Sequence, residues 1–202
     1  MICFANAAGG LLGKQIEVIG YDTRGDATEA VNAVKRLTSQ DKVVAILGPN
    51  ASGQAISISG VLEQMKVANI ATAATNPKVT VNDDGSVKPY NFRVCFIDPY
   101  QGAVAAGYAA DKLSFTKAAI LYDVTSDYSQ GLTEFFEKTF TEKGGTIVAK
   151  EGFKAGDVDF RAQLSKIKEA QPEVIFMPYY YKEVALSANQ ARELGITSVL
   201  MG

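Results

Sequence analysis

Short apolar runs alternate with amphipathic stretches along almost the whole chain. The runs that predict strands are Gln15 to Gly20, Val43 to Leu47, Ala68 to Ala73, Phe92 to Ile97, Lys117 to Tyr122, Thr146 to Lys150, Glu173 to Met177 and Ser198 to Met201. Between most of them, apolar residues recur at three and four spacing, which predicts helices. These series are Val31, Val34 and Leu37; Ile58, Leu62 and Met65; Leu132, Phe136 and Phe140; Phe160, Leu164 and Ile167; and Val184, Ala188, Ala191 and Leu194. Asp26, with Glu29 three residues on, makes a capping pair for the first helix. Strands alternating with helices in this way predict parallel sheets covered by helices on both faces, an α/β architecture.

The alternation breaks once, between Asn76 and Tyr90, where Pro, Asn, Asp and Gly accumulate and a surface excursion with one short edge strand is expected. The pattern then restarts near Asp98 to Tyr100. That predicts two α/β units, residues 1–97 and 98–202, with Gly9-Gly10 and Gly144-Gly145 as helix ends. Ligands of open parallel sheets collect beyond the C-terminal ends of the strands. In the first unit those ends carry Gly48 to Ser52 and Ala71 to Thr75, which are small hydroxyl residues and backbone. In the second they carry Tyr122 to Tyr128 and Pro178 to Tyr181, which bring aromatics and an aspartate.

Composition narrows the chemistry. Of 202 residues, 47% are hydrophobic and 21% charged, enough for an ordinary core. Lys plus Arg number 20 against 22 for Asp plus Glu, so no basic footprint for nucleic acid or anionic membrane is present. Histidine is absent, which removes the commonest general base and metal ligand. The two cysteines, Cys3 and Cys95, lie far apart without histidine partners, so no zinc site is expected. No apolar run reaches the roughly 18 residues of a membrane span, and no secretory signal pattern opens the chain.

The segment Val43 to Gln54 is the most informative: a strand, a Gly48-Pro49 turn, and Ser52 at the threshold of a helix, whose N-terminus is a seat for a carboxylate or phosphate. A phosphate loop is excluded, because Gln54 stands where its lysine belongs and Ala55 where its magnesium-binding hydroxyl belongs. A nucleophile elbow is excluded by the Asn-Ala-Ser-Gly-Gln frame and the missing histidine. Each candidate residue also has a plain structural role. Ser52 and Asp127 are candidate helix caps, Thr75 begins a turn before Asn76-Pro77, and of Tyr179, Tyr180 and Tyr181 at least one must leave the core. Their common position at one sheet edge is what gives them weight. No enzyme, metal or cofactor reading finds its residues.

The chain resembles the type I periplasmic solute-binding proteins, in the branch that binds leucine, isoleucine, valine and related amino acids for ABC transporters. The resemblance is carried by NAAGGLLGKQIEVIGYDTRGDATEAV at 6–31, ILGPNASGQA at 46–55, FRVCFIDPYQG at 92–102, YDVTSDYSQGL at 122–132 and FRAQLSKIKEAQPEVIF at 160–176. It implies two Rossmann-like parallel-sheet lobes closing on an amino acid. Ser52 and Thr75 would give hydroxyl and backbone N–H groups to its α-carboxylate, the Ala73 carbonyl would accept from its ammonium, and Tyr128 and Tyr180 would cover it from the second lobe. It also implies a periplasmic or membrane-anchored extracellular setting and an ABC permease as partner.

Against the family pattern, the first lobe is expected to lack its first strand and its C-terminal return segments, and the acidic partner of the ligand's ammonium is expected beyond Gly202. Such a lobe must repair its sheet, because unsatisfied buried backbone groups cost on the order of 1 to 3 kcal/mol each. Either Gln15 to Gly20 closes onto Val43 to Leu47, or a separate fragment or a second copy supplies structure, with a homodimer as the expected form. Besides solute binding, a ligand-sensing or self-associating module with a vestigial pocket remains open.

Overall fold

A computed structural model describes residues 2–202. Helix α1 (Ile2–Ala7) leads through Gly9 and Gly10, both at positive φ, into a stretch at 15–21 without regular secondary structure. Then follow α2 (Ala27–Ser39), β1 (Ala45–Leu47), α3 (Ser52–Ser57), α4 (Ser59–Met65), β2 (Ala68–Ala71) and β3 (Asn91–Arg93). The remainder is α5 (Asp98–Gly107), β4 (Lys117–Asp123), α6 (Asp127–Glu142), β5 (Thr146–Phe153), α7 (Arg161–Glu169), β6 (Val174–Phe176), α8 (Tyr181–Glu193) and β7 (Val199–Met201). Among these described residues no helix is long and apolar enough to cross a membrane.

The strands form two all-parallel sheets, one in the order β1-β2-β3 and one in the order β5-β4-β6-β7. In the second sheet both faces are covered, as near-continuous apolar strands require. Ala119, Leu121 and Ile175 pack with Phe160, Leu164 and Ile167 on one side, while Ala118, Ile120 and Val174 pack with Phe136 and Phe140 on the other. Phe176 stacks on Phe136 with ring centroids 4.1 Å apart. In the first sheet, Ala30, Val34 and Leu37 of α2 meet Ile46, Ile58 and Leu62. Asp26 caps α2 by accepting from the Glu29 N–H at 2.8 Å.

Two sequence expectations fail here. Gln15 to Gly20 forms no strand, joins no sheet and does not close onto β1. A cavity of about 670 Å³, lined mostly by aliphatic side chains, lies between the two, and Val18, Val44 and Leu47 are exposed. The Asn6 side chain partly substitutes for a strand neighbour: its amide donates to the Ile16 carbonyl and accepts from the Ile16 N–H, both at 2.8 Å. The run Phe92 to Ile97 is a strand only as far as Arg93, because the chain bends at Val94 and Cys95 before α5.

Helices α5 and α6 approach closely at Gly102, where an added Cβ would lie 2.8 Å from the Phe135 Cβ and 2.9 Å from the Phe136 nitrogen. Gly102→Ala should therefore part the helices and destabilise the fold by about 1 to 3 kcal/mol. Urea unfolding checks this, and an unchanged midpoint would refute the close packing.

Candidate functional site

The C-terminal ends of both sheets face one cleft. The Gly48-Pro49 turn needs Gly48 at φ +103°, a conformation that glycine adopts without strain, and it leads into α3. Ala51, not Ser52, is the N-cap of α3, and no side chain caps this helix. Its first-turn N–H groups are thus left without a capping side chain. Ser52 is buried, and its hydroxyl oxygen accepts from the Asn76 N–H at 3.2 Å, which ties α3 to the loop after β2.

That loop is fastened from below by Arg93. The guanidinium donates to the carbonyls of Ala74 (3.3 Å), Thr75 (3.0 Å), Asn76 (2.9 Å) and Pro77 (3.1 Å) and to the Thr80 hydroxyl (2.7 Å). Asn76 caps the short turn that follows and donates its amide to the Asp127 carbonyl at 2.8 Å, joining the loop to α6. The Asp98 N–H donates to the Thr75 carbonyl at 3.0 Å.

Opposite this loop stand two tyrosines. Tyr128 lies in the first turn of α6 and Tyr180 is the N-cap of α8; their rings stack 5.3 Å apart at 10°. The three consecutive tyrosines divide as their geometry demands. Tyr179 enters the core against Phe153 and bonds Ser187, Tyr180 faces the cleft, and Tyr181 is in solvent. Burial raises the phenols of Tyr128 and Tyr180, the latter to about 12, so both stay protonated at neutral pH.

Asn50, Ala51, Ala73, Thr75, Phe96, Gln101, Tyr128 and Tyr180 enclose about 360 Å³. Four of the five residues expected from sequence thus line one cavity, and the fifth, Ser52, is buried beside Ala51 and is not among its lining residues. Asn50, Phe96 and Gln101 escaped sequence reasoning, although all three sit inside the segments that carry the resemblance. Asn50 accepts from the Thr72 hydroxyl across the cavity mouth. Asp127 does not cap α6; Ser126 does, accepting from the Ser129 N–H. Cys3 and Cys95 are free thiols. No group of three or more acidic or cysteine side chains among the described residues is placed to hold a metal.

Asp98 was visible in the sequence only as a boundary marker. It is fully buried, and neither carboxylate oxygen has a hydrogen-bond partner. Burial pushes its carboxyl up to about 6, and the neighbouring Thr75 hydroxyl and the Arg93 charge pull it back only in part.

A family model described as periplasmic binding protein matches residues 4–202. Curated relatives include an amino acid binding protein of Pseudomonas aeruginosa, 32% identical over 196 residues, which are 97% of this chain and 51% of that protein. The leucine-, isoleucine-, valine-, threonine- and alanine-binding protein of the same organism is 31% identical over 98% of this chain and 51% of its own length. The chain spans about half the length of the curated relatives it matches. Among solved structures, the leucine binding protein LivK of Thermotoga maritima superposes with a TM-score of 0.90 at 40% identity, over 98% of this chain and 55% of that one. The branched-chain amino acid transporter substrate binding protein LivJ of Streptococcus pneumoniae, in complex with isoleucine, gives 0.89 at 36%, with the same coverage.

An acid whose folded pKa is raised binds its proton more tightly in the native state than in the unfolded chain. Its contribution to stability therefore falls as pH rises from about 4 to about 6 and stays low above that. The urea midpoint of Asp98→Asn should accordingly gain on the native chain across this window and then level off. A difference independent of pH would reject the raised carboxyl.

Proposed function

The chain belongs to the periplasmic binding protein family, and we propose that it holds the zwitterion of an aliphatic or branched-chain amino acid between two lobes for delivery to an ABC transporter. Its two parallel sheets are the type I fold of that family. The lobes are residues 1–97 and 98–202. The observation that carries the reading is the opposition, across one small cavity, of Ala73 and Thr75 on one wall and the stacked Tyr128 and Tyr180 on the other.

The zwitterion is matched end by end. Ser52 uses its oxygen to accept from Asn76, so its hydroxyl hydrogen is left for a carboxylate, beside the uncapped first turn of α3 and the Thr75 backbone. The Ala73 carbonyl accepts from the ammonium. The tyrosine pair excludes water, which strengthens both ends of the match. The cavity walls supply hydroxyls, amides and protonated phenols, a set suited to binding rather than catalysis. Family membership supports a working place in the periplasm or at the outer face of the membrane, with a permease as partner.

The unpaired β1 edge and the apolar slot beside it support, in addition, a homodimer in which a second copy covers that slot.

A calorimetric screen of the twenty amino acids tests the binding reading. Leucine, isoleucine or valine should give heat, and at a hundredfold excess over Kd should stabilise the chain by about 2.7 kcal/mol. Ser52→Ala and Thr75→Ala should each abolish the heat, and silence from all twenty refutes the reading. Light scattering should return a dimer mass; a monomer at all concentrations rejects the homodimer.

A further inference from the structure

The cavity has more wall than the two charged ends of a zwitterion use. Ala51, Ala73 and Thr75 stand at the corner that takes the carboxylate and the ammonium, and Tyr128 and Tyr180 cover that corner from the second sheet. Asn50, Phe96 and Gln101 form the rest. A tetrahedral α-carbon with two of its substituents fixed at the corner sends its side chain toward this remaining wall. The one apolar side chain there is Phe96.

Phe96 is held in place without being packed away. On one side of it the Val94 N–H donates to the Ala71 carbonyl at 3.2 Å and the Cys95 thiol to the Ala74 carbonyl at 3.5 Å; on the other, the Asp98 N–H donates to the Thr75 carbonyl at 3.0 Å. The backbone around position 96 is therefore stitched to the loop after β2. The ring, by contrast, is 56% exposed, and it meets the Tyr100 ring only at 6.3 Å between centroids and 53°. Burial in a core does not account for it.

The chemistry of the lining sets what this wall prefers. No leucine, isoleucine, valine or methionine lines the cavity, and its larger apolar groups are the rings of Phe96, Tyr128 and Tyr180. Flat faces are matched by flat partners, in offset or edge-on contact, and each such contact adds about two- to tenfold in affinity beyond the area it buries. The enclosed space of about 360 Å³ lies within the range of small-molecule sites, which begins at roughly 300 Å³. We infer that Phe96 selects the side chain of the ligand, and that its ring admits flat aromatic side chains alongside branched aliphatic ones. This rests on the amino-acid-binding reading and extends it from aliphatic to aromatic amino acids. The charged ends of the ligand are recognised as before, and Phe96 acts on the side chain alone.

The test titrates the chain in a calorimeter with leucine, phenylalanine and cyclohexylalanine, which keeps the outline of phenylalanine but has a puckered, saturated ring. The native chain should bind phenylalanine, with a Kd about two- to tenfold below that of cyclohexylalanine. Phe96→Leu, which keeps an apolar side chain and removes the ring, should erase this preference and move the ratio of the phenylalanine and leucine Kd values by about fivefold toward leucine. Phe96→Tyr, which keeps the ring, should retain both. If Phe96→Leu fails to fold, Phe96→Met removes the ring in a second way and should give the same shift. A native chain that binds leucine but not phenylalanine overturns the inference and leaves the binding reading intact. So does a Phe96→Leu chain with the native ratio. If the native chain binds no amino acid, the binding reading fails and the inference falls with it.

Discussion

The site depends on the way Arg93 holds the loop after β2. Five backbone and side-chain oxygens between Ala74 and Thr80 converge on one guanidinium, whose planar fork and permanent charge suit it to gather carbonyls that would otherwise be orphaned near the sheet edge. With the loop fixed, Asn76 is aimed at both Ser52 and Asp127, and the Thr75 carbonyl at the Asp98 N–H. One side chain thereby positions the wall of the cavity and links the first sheet to the second. The cost is desolvation of the guanidinium, which lowers its pKa.

The two sheets differ in completeness. The second has both faces packed, with Phe136 stacked on Phe140 and Phe176 on one face and Phe153 edge-on to Phe160 on the other. The first has three short strands and an open edge, and much of its apolar surface near β1 faces a slot, not a core. The cavity between Thr75 and the tyrosines is built by strand-end loops, of which the one after β2 is anchored to the better-packed side through Asn76 and Asp98. Recognition by a few convergent polar groups needs rigid walls more than it needs an extensive sheet.

Much of this was legible in residue order. Helices α2, α6, α7 and α8 follow from three and four spacing, and all seven observed strands lie within or overlap runs called from local apolar content. Asp26, with a side chain that competes for the nearest backbone N–H, marks a cap without any tertiary knowledge. Gln15 to Gly20 misled because apolar content predicts extension, while a ladder needs a neighbour at hydrogen-bonding distance. Phe92 to Ile97 misled because the chain bends at Val94 and Cys95, and after the Val94 N–H donates to the Ala71 carbonyl the run leaves the ladder on the approach to α5.

The sequence by itself determined the alternation of strands and helices, the parallel character of the sheets, and the clustering of Ser52, Thr75, Tyr128 and Tyr180 at strand ends, since each depends on periodicity and chain direction within a few residues. Only the tertiary structure decided how Tyr179, Tyr180 and Tyr181 divide among core, cleft and solvent, that Ser52 accepts from Asn76 instead of capping α3, and that Asp98 is a charge without donors. Desolvation and hydrogen-bond completion are set by groups far apart along the chain, and no local pattern records which of them will meet.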